Sequence, residues 1–162
     1  NTMSKAAELA KFIGSGEIAR TSHPAFLAVN STGQTNISLN TENTIVFENE
    51  IFDQGGDFAS NTFTAPLTGR YQLNTTVWIN NIDTAATYYS LRIRTSNRDY
   101  FGSVYSPSST DSDVIYWQMA CNVLADMDAG DTAIVTLYQP NGTAQTDISG
   151  SGQATFSGYL VC

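Results

Sequence analysis

The chain has 162 residues, with seven Lys and Arg against fifteen Asp and Glu and a formal net charge of −8. Electrostatic attraction to a phosphate backbone is therefore excluded as a main activity, and we expect no nucleic-acid partner. No run approaches the roughly 18 to 20 apolar residues that cross a bilayer, so we expect no membrane insertion. Charged residues make up 14% of the chain and aromatics 11%, a balance typical of an all-β domain, in which aromatic and Thr side chains fit a pleated surface.

The only helical pattern lies near the N-terminus, over residues 3–14, where Ser4 can cap a ragged apolar stripe. A helix this short does not stand alone. Two interpretations remain open: a linker or terminal helix that rests on the domain, or the end of a longer stalk. We divide the chain into an N-terminal helix or linker (1–22) and a single β domain (23–162).

After Arg20, short apolar runs are separated by turn signals about every 8 to 12 residues, which predicts a sandwich or barrel. In chain order, the candidate strands are 25–29, 36–39, 44–47, 69–80, 87–94, 99–105, 113–127, 132–139 and 153–162.

Alternation along the longer strands predicts which side chains are buried. In strand 113–127, every second residue from Ile115 to Met127 is apolar, so this face is expected in the core, with Cys121 as a small buried hydrophobe. The opposite face carries Leu124, and Trp78 breaks an otherwise polar face in strand 69–80. Apolar residues on both faces imply a second contact surface beside the core.

Catalytic motifs are not evident. His23 is the only histidine, it stands beside Pro24 before the first strand, and no nucleophile elbow accompanies it. We expect a non-enzymatic protein.

Three carboxylates cluster around one turn, at Asp126, Asp128 and Asp131. Oxygen ligands at this spacing can hold calcium in a loop, although an acidic protein also carries such side chains simply solvated. Calcium is the one candidate cofactor, with these three residues as its candidate ligands.

Four segments of the chain form a recognisable pattern when taken in order: a first strand at 24–29, an aromatic motif, a Gly-Asp turn at 124–132 and a last strand at 155–161. The aromatic motif consists of Phe47, Asp53, Phe58, Phe63, Gly69 and Tyr71. From about Pro24 to Cys162, this pattern resembles the complement C1q globular-head family, within the wider tumour necrosis factor-like superfamily.

This resemblance implies a ten-stranded, two-sheet jelly-roll sandwich that assembles as a homotrimer. The strands from Gly69 and Asp113 and the C-terminal strand would line the threefold axis, and burial between subunits would cover the second apolar surface. Taken singly, each apolar residue of this set is also an ordinary exposed side chain. The candidate interface residues are Gln72, Asn74, Trp78, Ala120, Asn122, Leu124, Phe156, Gly158 and Leu160.

Residues 3–14 also resemble a short piece found in tail and structural proteins of bacteriophages. With the resemblance above, this predicts the trimeric head of a phage or virion fibre that binds a host-surface glycan or protein. The alternatives are a secreted C1q-like ligand in signalling or pattern recognition, and a virion decoration without a receptor.

Aromatic side chains in exposed loops are candidate ligand contacts, because they offer large rigid area and stack on sugars. Burial in the sheets is the alternative for each. These candidates are Tyr88, Tyr89, Tyr100, Phe101 and Tyr105.

Overall fold

Two six-stranded antiparallel sheets face each other across one core in the computed structural model, which describes residues 23–110 and 112–162. The helix expected over 3–14 lies outside the described residues. The strands in chain order are β1 Ala25–Val29, β2 Glu42–Thr44, β3 Asn49–Gln54, β4 Phe58–Ala59, β5 Thr62–Thr64, β6 Gly69–Ile82, β7 Tyr89–Thr95, β8 Asp99–Tyr105, β9 Val114–Met127, β10 Thr132–Tyr138, β11 Asp147–Ile148 and β12 Ala154–Leu160, with a short 3₁₀ helix at Pro107–Ser109.

The first sheet is built around β6. Strand β9 pairs along one side of β6, while β12 and β11 pair along the other, and β1 and β3 follow beyond β12. The second sheet has the order β4, β5, β10, β7, β8, and β2 also pairs with β10. The predicted all-β sandwich of two sheets is confirmed, with twelve strands in place of ten because β2, β4, β5 and β11 are only two or three residues long.

Five aromatic rings fill one part of the core. Phe26 of β1 stacks on Phe58 at 5.0 Å and on Phe63 at 4.7 Å between ring centres, and it meets Phe156 edge-on at 5.0 Å. Tyr71 of β6 lies 5.3 Å from Phe63. Offset and edge-on pairs of this kind stabilise the packing beyond the area they bury, so the aromatic motif of the sequence joins the two sheets.

Two strand predictions are wrong for local reasons. Residues 36–39 are not a strand, and Asn36 has a φ of 56°, in the left-handed region that Asn tolerates better than most residues. Strand β3 has no counterpart among the candidates because it lacks alternation: Ile51 and Phe52 are adjacent and both exposed at the edge of the sheet.

The predicted core face of β9 is only partly buried. Met119, Cys121, Ala125 and Met127 belong to the core, but Ile115 and Trp117 are exposed. The Trp117 ring stacks on Tyr105 at 4.2 Å, and Tyr105 is the last residue of β8. Ile115 lies beyond the end of that strand, where the second sheet no longer covers β9. None of the helical segments within 23–110 and 112–162 is long and apolar enough to cross a bilayer.

Candidate functional site: the outer face of the first sheet

Strands β12, β6 and β9 present one continuous outer face, which we call the β6 face. Their register brings side chains side by side in rows across the sheet, because residues directly opposite in antiparallel strands point to the same side. The rows are Tyr159 with Gln72 and Leu124, Ser157 with Asn74 and Asn122, Thr155 with Thr76 and Ala120, Trp78 with Gln118, and Asn80 with Tyr116.

None of these side chains of β12, β6 and β9 carries a charge, although the chain as a whole carries −8. Asp147 of β11, which pairs with Asn80, is the charged residue at the Asn80 end of the face. Beyond the row of Gln72 and Leu124, Arg70 lies opposite Asp126, so charged residues begin at that end of the face. Polar side chains of the rows bond to one another: the Thr76 and Thr155 hydroxyl oxygens lie 2.8 Å apart, and Gln72 Nε2 donates to Asn74 Oδ1 at 3.0 Å. The β6 face is therefore neutral, and these polar groups are partnered within the chain.

Large apolar and aromatic side chains stand exposed on this neutral face. Trp78 is 37% exposed, Leu124 is 52% exposed, and Tyr116 and Tyr159 are each exposed by half or more. Trp78, Tyr116, Trp117 and Gln118 line an open hollow of about 200 Å³. Exposed apolar groups collected on one face in this way mark an interaction surface.

Six of the nine candidate interface residues need no correction in position. Gln72, Asn74, Trp78, Ala120, Asn122 and Leu124 lie in the rows of the β6 face. Whether they meet another subunit stays a prediction.

Phe156, Gly158 and Leu160 lie on the core side of β12, which is the wrong side for that role, and Leu160 is half-buried against the core opposite Tyr71. Phe156 is 0% exposed and packs on Phe26, and Gly158 is buried against Leu73 and Phe26, where a Cβ would come within 3 Å of both side chains. The prediction that they are left exposed is wrong, because β12 is in the opposite phase. Tyr159 is the exposed aromatic residue of this strand, and it is not among the predicted interface residues.

The aromatic candidates lie in or beside strands β7 and β8, so their placement in exposed loops is wrong. Tyr89 is fully buried, and its hydroxyl bonds to Thr146 Oγ1 at 2.7 Å and accepts from the Asp83 N–H at 2.9 Å. Burial raises the pKa of the Tyr89 hydroxyl. Tyr105 is also buried, under Trp117.

The other three aromatic candidates remain accessible to different degrees. Tyr100 is half-buried against the core, with its hydroxyl 3.3 Å from Asp126 Oδ1. Tyr88 is half-buried, and Phe101 is the most exposed of the set.

The three candidate calcium ligands do not converge. Asp131 accepts hydrogen bonds from the Asp128 N–H, Ser96 Oγ and Asn97 Nδ2 at 2.6 to 2.7 Å, and these bonds, the Asp128 N–H foremost, lower the pKa of Asp131. Asp126 instead pairs with Arg98 at 3.0 Å. Across the described parts of the chain, no group of three or more His, Cys, Asp or Glu side chains is arranged to hold a metal ion. These carboxylates hold the turn and its neighbours.

The fold is a two-sheet jelly-roll sandwich of the C1q and tumour necrosis factor type. The family model of the C1q domain matches residues 25–161, so the chain belongs to the C1q domain family. Domains of this kind are generally non-enzymatic binding modules, and nothing among the described residues points to catalysis.

Solved structures with the same fold include animal proteins. The globular domain of zebrafish complement 1qA superposes with a TM-score of 0.60 at 13% identity, covering 86% of this chain and 97% of that one. Murine APRIL superposes with a TM-score of 0.56 at 15% identity, covering 85% of this chain and 98% of that one. No curated protein sequence matches the chain. At these identities the likeness establishes the fold alone, and the predicted phage-fibre setting remains a prediction.

Proposed function

We propose that the chain is a non-enzymatic head domain that assembles as a homotrimer through the β6 face and binds a partner with surfaces that the trimer leaves exposed. The observation that carries this proposal is the uncharged β6 face with its exposed Trp78, Tyr116, Leu124 and Tyr159, in a chain of net charge −8.

Electrostatics supports the β6 face as the surface that meets other copies. Three chains of charge −8 repel one another, and the repulsion grows wherever their acidic groups approach. Contact through a neutral face keeps those groups apart, and burial of large apolar side chains offsets the remaining repulsion at about 25 cal/mol per Å².

The arrangement of apolar residues favours a ring over a twofold dimer. Strand β9 exposes Tyr116 and Leu124 on the β6 face but Ile115 and Trp117 on its opposite face. A twofold dimer buries the same patch from each copy, whereas a ring joins two different patches. Two distinct apolar surfaces on either side of one edge strand suit a ring, and C1q and tumour necrosis factor-like domains are typically trimeric.

The setting we propose is the head of a phage or virion fibre, where the trimer holds the fibre end and contacts a host-surface glycan or protein. Its support is the resemblance of residues 3–14 to phage tail proteins. A secreted C1q-like ligand is the second candidate, favoured by the fold it shares with zebrafish complement 1qA.

Light scattering on the purified chain tests the assembly. We expect three times the mass of one chain at micromolar concentration, and a monomer there would refute the proposal. Leu124→Asp places a carboxylate on the β6 face of each subunit and should give monomers. Leu67→Asp is the matched control, since Leu67 is 44% exposed but lies outside the strands of the β6 face, and it should remain trimeric.

A further inference from the structure

One guanidinium on the outer face of the second sheet is flanked by aromatic rings. The Cζ atom of Arg92 lies 4.5 Å from the centre of the Phe101 ring and 5.5 Å from the centre of the Tyr138 ring. The Tyr88 ring lies next to Tyr138, with 6.1 Å between the two ring centres. These four side chains, which we call the Phe101 cluster, lie across β10, β7 and β8, away from the β6 face.

Phe101 is exposed yet held in place. Its side chain is 64% exposed, and the ring rests on the Arg92 guanidinium, an attraction between a cation and an aromatic face. Arg92 is fixed in turn, because its Nη1 bonds to the Glu42 carboxylate and its Nε donates to Ser90 Oγ at 3.3 Å. A ligand that stacks on a ring already held in one orientation pays little for ordering it.

Ion pairing leaves the surroundings of Arg92 and Arg94 electrically balanced. Arg92 pairs with Glu42, and Arg94 pairs with Asp99 at 2.8 Å. A ligand attracted by its own charge gains little at such a surface, so the cluster suits a neutral ligand.

Two polar atoms beside the rings have no hydrogen-bond partner in the protein. They are the Thr136 hydroxyl and the Glu42 Oε2 atom. Thr136 is 1% exposed, and the register places it between Thr44 and Arg92 on this outer face. Buried polar atoms without partners cost about 1 to 3 kcal/mol each. Both atoms are themselves buried, so they mark unsatisfied polarity under the rings, and a ligand reaches the polar groups of this face through the partly exposed Arg92 and Glu42 side chains.

We infer that the Phe101 cluster binds a neutral sugar. The apolar face of the sugar stacks on Phe101 and Tyr138, and its hydroxyl groups bond to the Arg92–Glu42 pair and its neighbours. A protein partner of ordinary affinity needs about 20 to 30 residues on each side, while this cluster offers three rings. The inference rests on the proposed role as a binding head and names the ligand class of that head.

An array of neutral and sialylated oligosaccharides, followed by saturation-transfer NMR with the best neutral sugar, tests the inference on the full chain. Phe101→Leu keeps much of the apolar area but removes the ring, and should weaken binding by about tenfold, the equivalent of about 1.4 kcal/mol. Phe101→Tyr keeps the ring and should bind like the unchanged chain. Phe52→Leu is the matched control, because Phe52 is an exposed phenylalanine on the first sheet.

Each outcome of these experiments either supports or overturns the proposed sugar site. Neutral-sugar binding that falls in Phe101→Leu and persists in Phe101→Tyr and Phe52→Leu supports the inference. Absence of neutral-sugar binding, binding of sialylated sugars alone, or equal binding by Phe101→Leu overturns it. Light scattering on every sample separates the two proposals: a trimer that binds no neutral sugar refutes only the sugar site, and a monomer that binds it refutes only the assembly.

Discussion

The carboxylate of Asp83 accepts a hydrogen bond from the Ala144 N–H at 2.7 Å, which ties the end of β6 to the segment between β10 and β11. The same carboxylate accepts bonds from the Ala85 N–H at 2.8 Å and from the N–H and hydroxyl of Thr143. Asp83 is buried, so one side chain satisfies three backbone donors that loops would otherwise leave unpaired.

Asp83→Asn should destabilise the domain. The neutral amide keeps the shape but replaces charge-assisted hydrogen bonds, and its NH₂ group meets backbone donors. Hydrogen bonds to charged groups contribute about 1.5 to 3 kcal/mol, so we expect a loss of that order in the free energy of unfolding, measured by urea denaturation at neutral pH and fixed protein concentration. Asp128→Asn, at an exposed position, is the control and should change stability by less than about 0.5 kcal/mol.

Asp83 also predicts how stability depends on pH. Burial alone would raise the pKa of this carboxyl, but hydrogen bonds from the N–H groups of Ala144, Ala85 and Thr143 outweigh it and hold the pKa below its ordinary value. A lowered folded-state pKa stabilises the fold above the unfolded-state pKa, and this contribution is lost as the pH falls through the folded-state value. The unchanged chain should therefore lose more stability than Asp83→Asn between neutral and strongly acidic pH. Parallel curves for the two proteins would contradict this.

The segment from Phe52 to Phe63 shows a second carboxylate that holds a turn. Asp53 accepts hydrogen bonds from the N–H groups of Asp57 and Phe58, at 3.1 and 2.9 Å, and so positions Phe58 against Phe26. Asp53→Ala removes both acceptors and should cost about 1 kcal/mol of stability, as the loss of a helix cap does. Thermal unfolding measures this as a lowered melting temperature.

Asp57 lies in the same turn, and its substitution is the control for Asp53→Ala, because we expect it to cause no loss of stability. Burial, followed by the nearby charge of Asp53, raises the pKa of Asp57, so its ionised form is disfavoured in the folded chain. Asp57→Asn removes that charge and should leave stability unchanged or slightly higher at neutral pH. A loss as large as that of Asp53→Ala would show that the turn depends on something other than the Asp53 carboxylate.

The sequence predicts the turn and the aromatic packing of this part of the molecule, but not its strands. Gly55 and Gly56 both have positive φ, the aromatic residues bury on contact with each other, and the spacing between them is short. Alternation likewise locates β1 and β8 to the residue. Strands β3, β4, β5 and β11 escape prediction because they are short or at an edge, where pairing with a neighbour decides the structure and the side-chain pattern does not.

The candidate site was predicted correctly as a set of strands but only in part as a set of side chains. In β6, the alternation of Tyr71, Leu73 and Val77 against polar residues fixes which face is buried. In β12, Thr155 and Ser157 share the outer phase with Tyr159, and Ala154, Phe156 and Leu160 share the core phase. Alternation therefore indicates the correct phase, and the assignment of Phe156 to the outer face went against it. Gly158 agrees with the core phase, because a glycine inside a strand often marks close approach of a neighbour, here Leu73 and Phe26.

Phe156 and Tyr159 therefore make a paired test of the corrected phase. Phe156→Ala opens a cavity among Phe26, Phe47 and Phe58 and should cost about 3 to 5 kcal/mol in the free energy of unfolding. Tyr159→Ala removes an exposed ring and should leave the fold intact by circular dichroism while weakening the trimer in light scattering. The reverse pattern, a stable Phe156→Ala and an unfolded Tyr159→Ala, would restore the original assignment.

Salt should strengthen the trimer if the β6 face is its interface. The β12, β6 and β9 side chains on this face carry no charge, and Asp147 at its edge bonds to the neutral Asn81 side chain, so salt has no ion pair to weaken there, while the repulsion between chains of charge −8 is screened. The screening length falls from roughly 20 Å at about 20 mM salt to about 4 Å at about 0.5 M. Sedimentation equilibrium should therefore give a smaller dissociation constant at the higher salt concentration. An interface held by ion pairs would respond with the opposite sign, and that response would place the contact between subunits on another, charged surface of the domain.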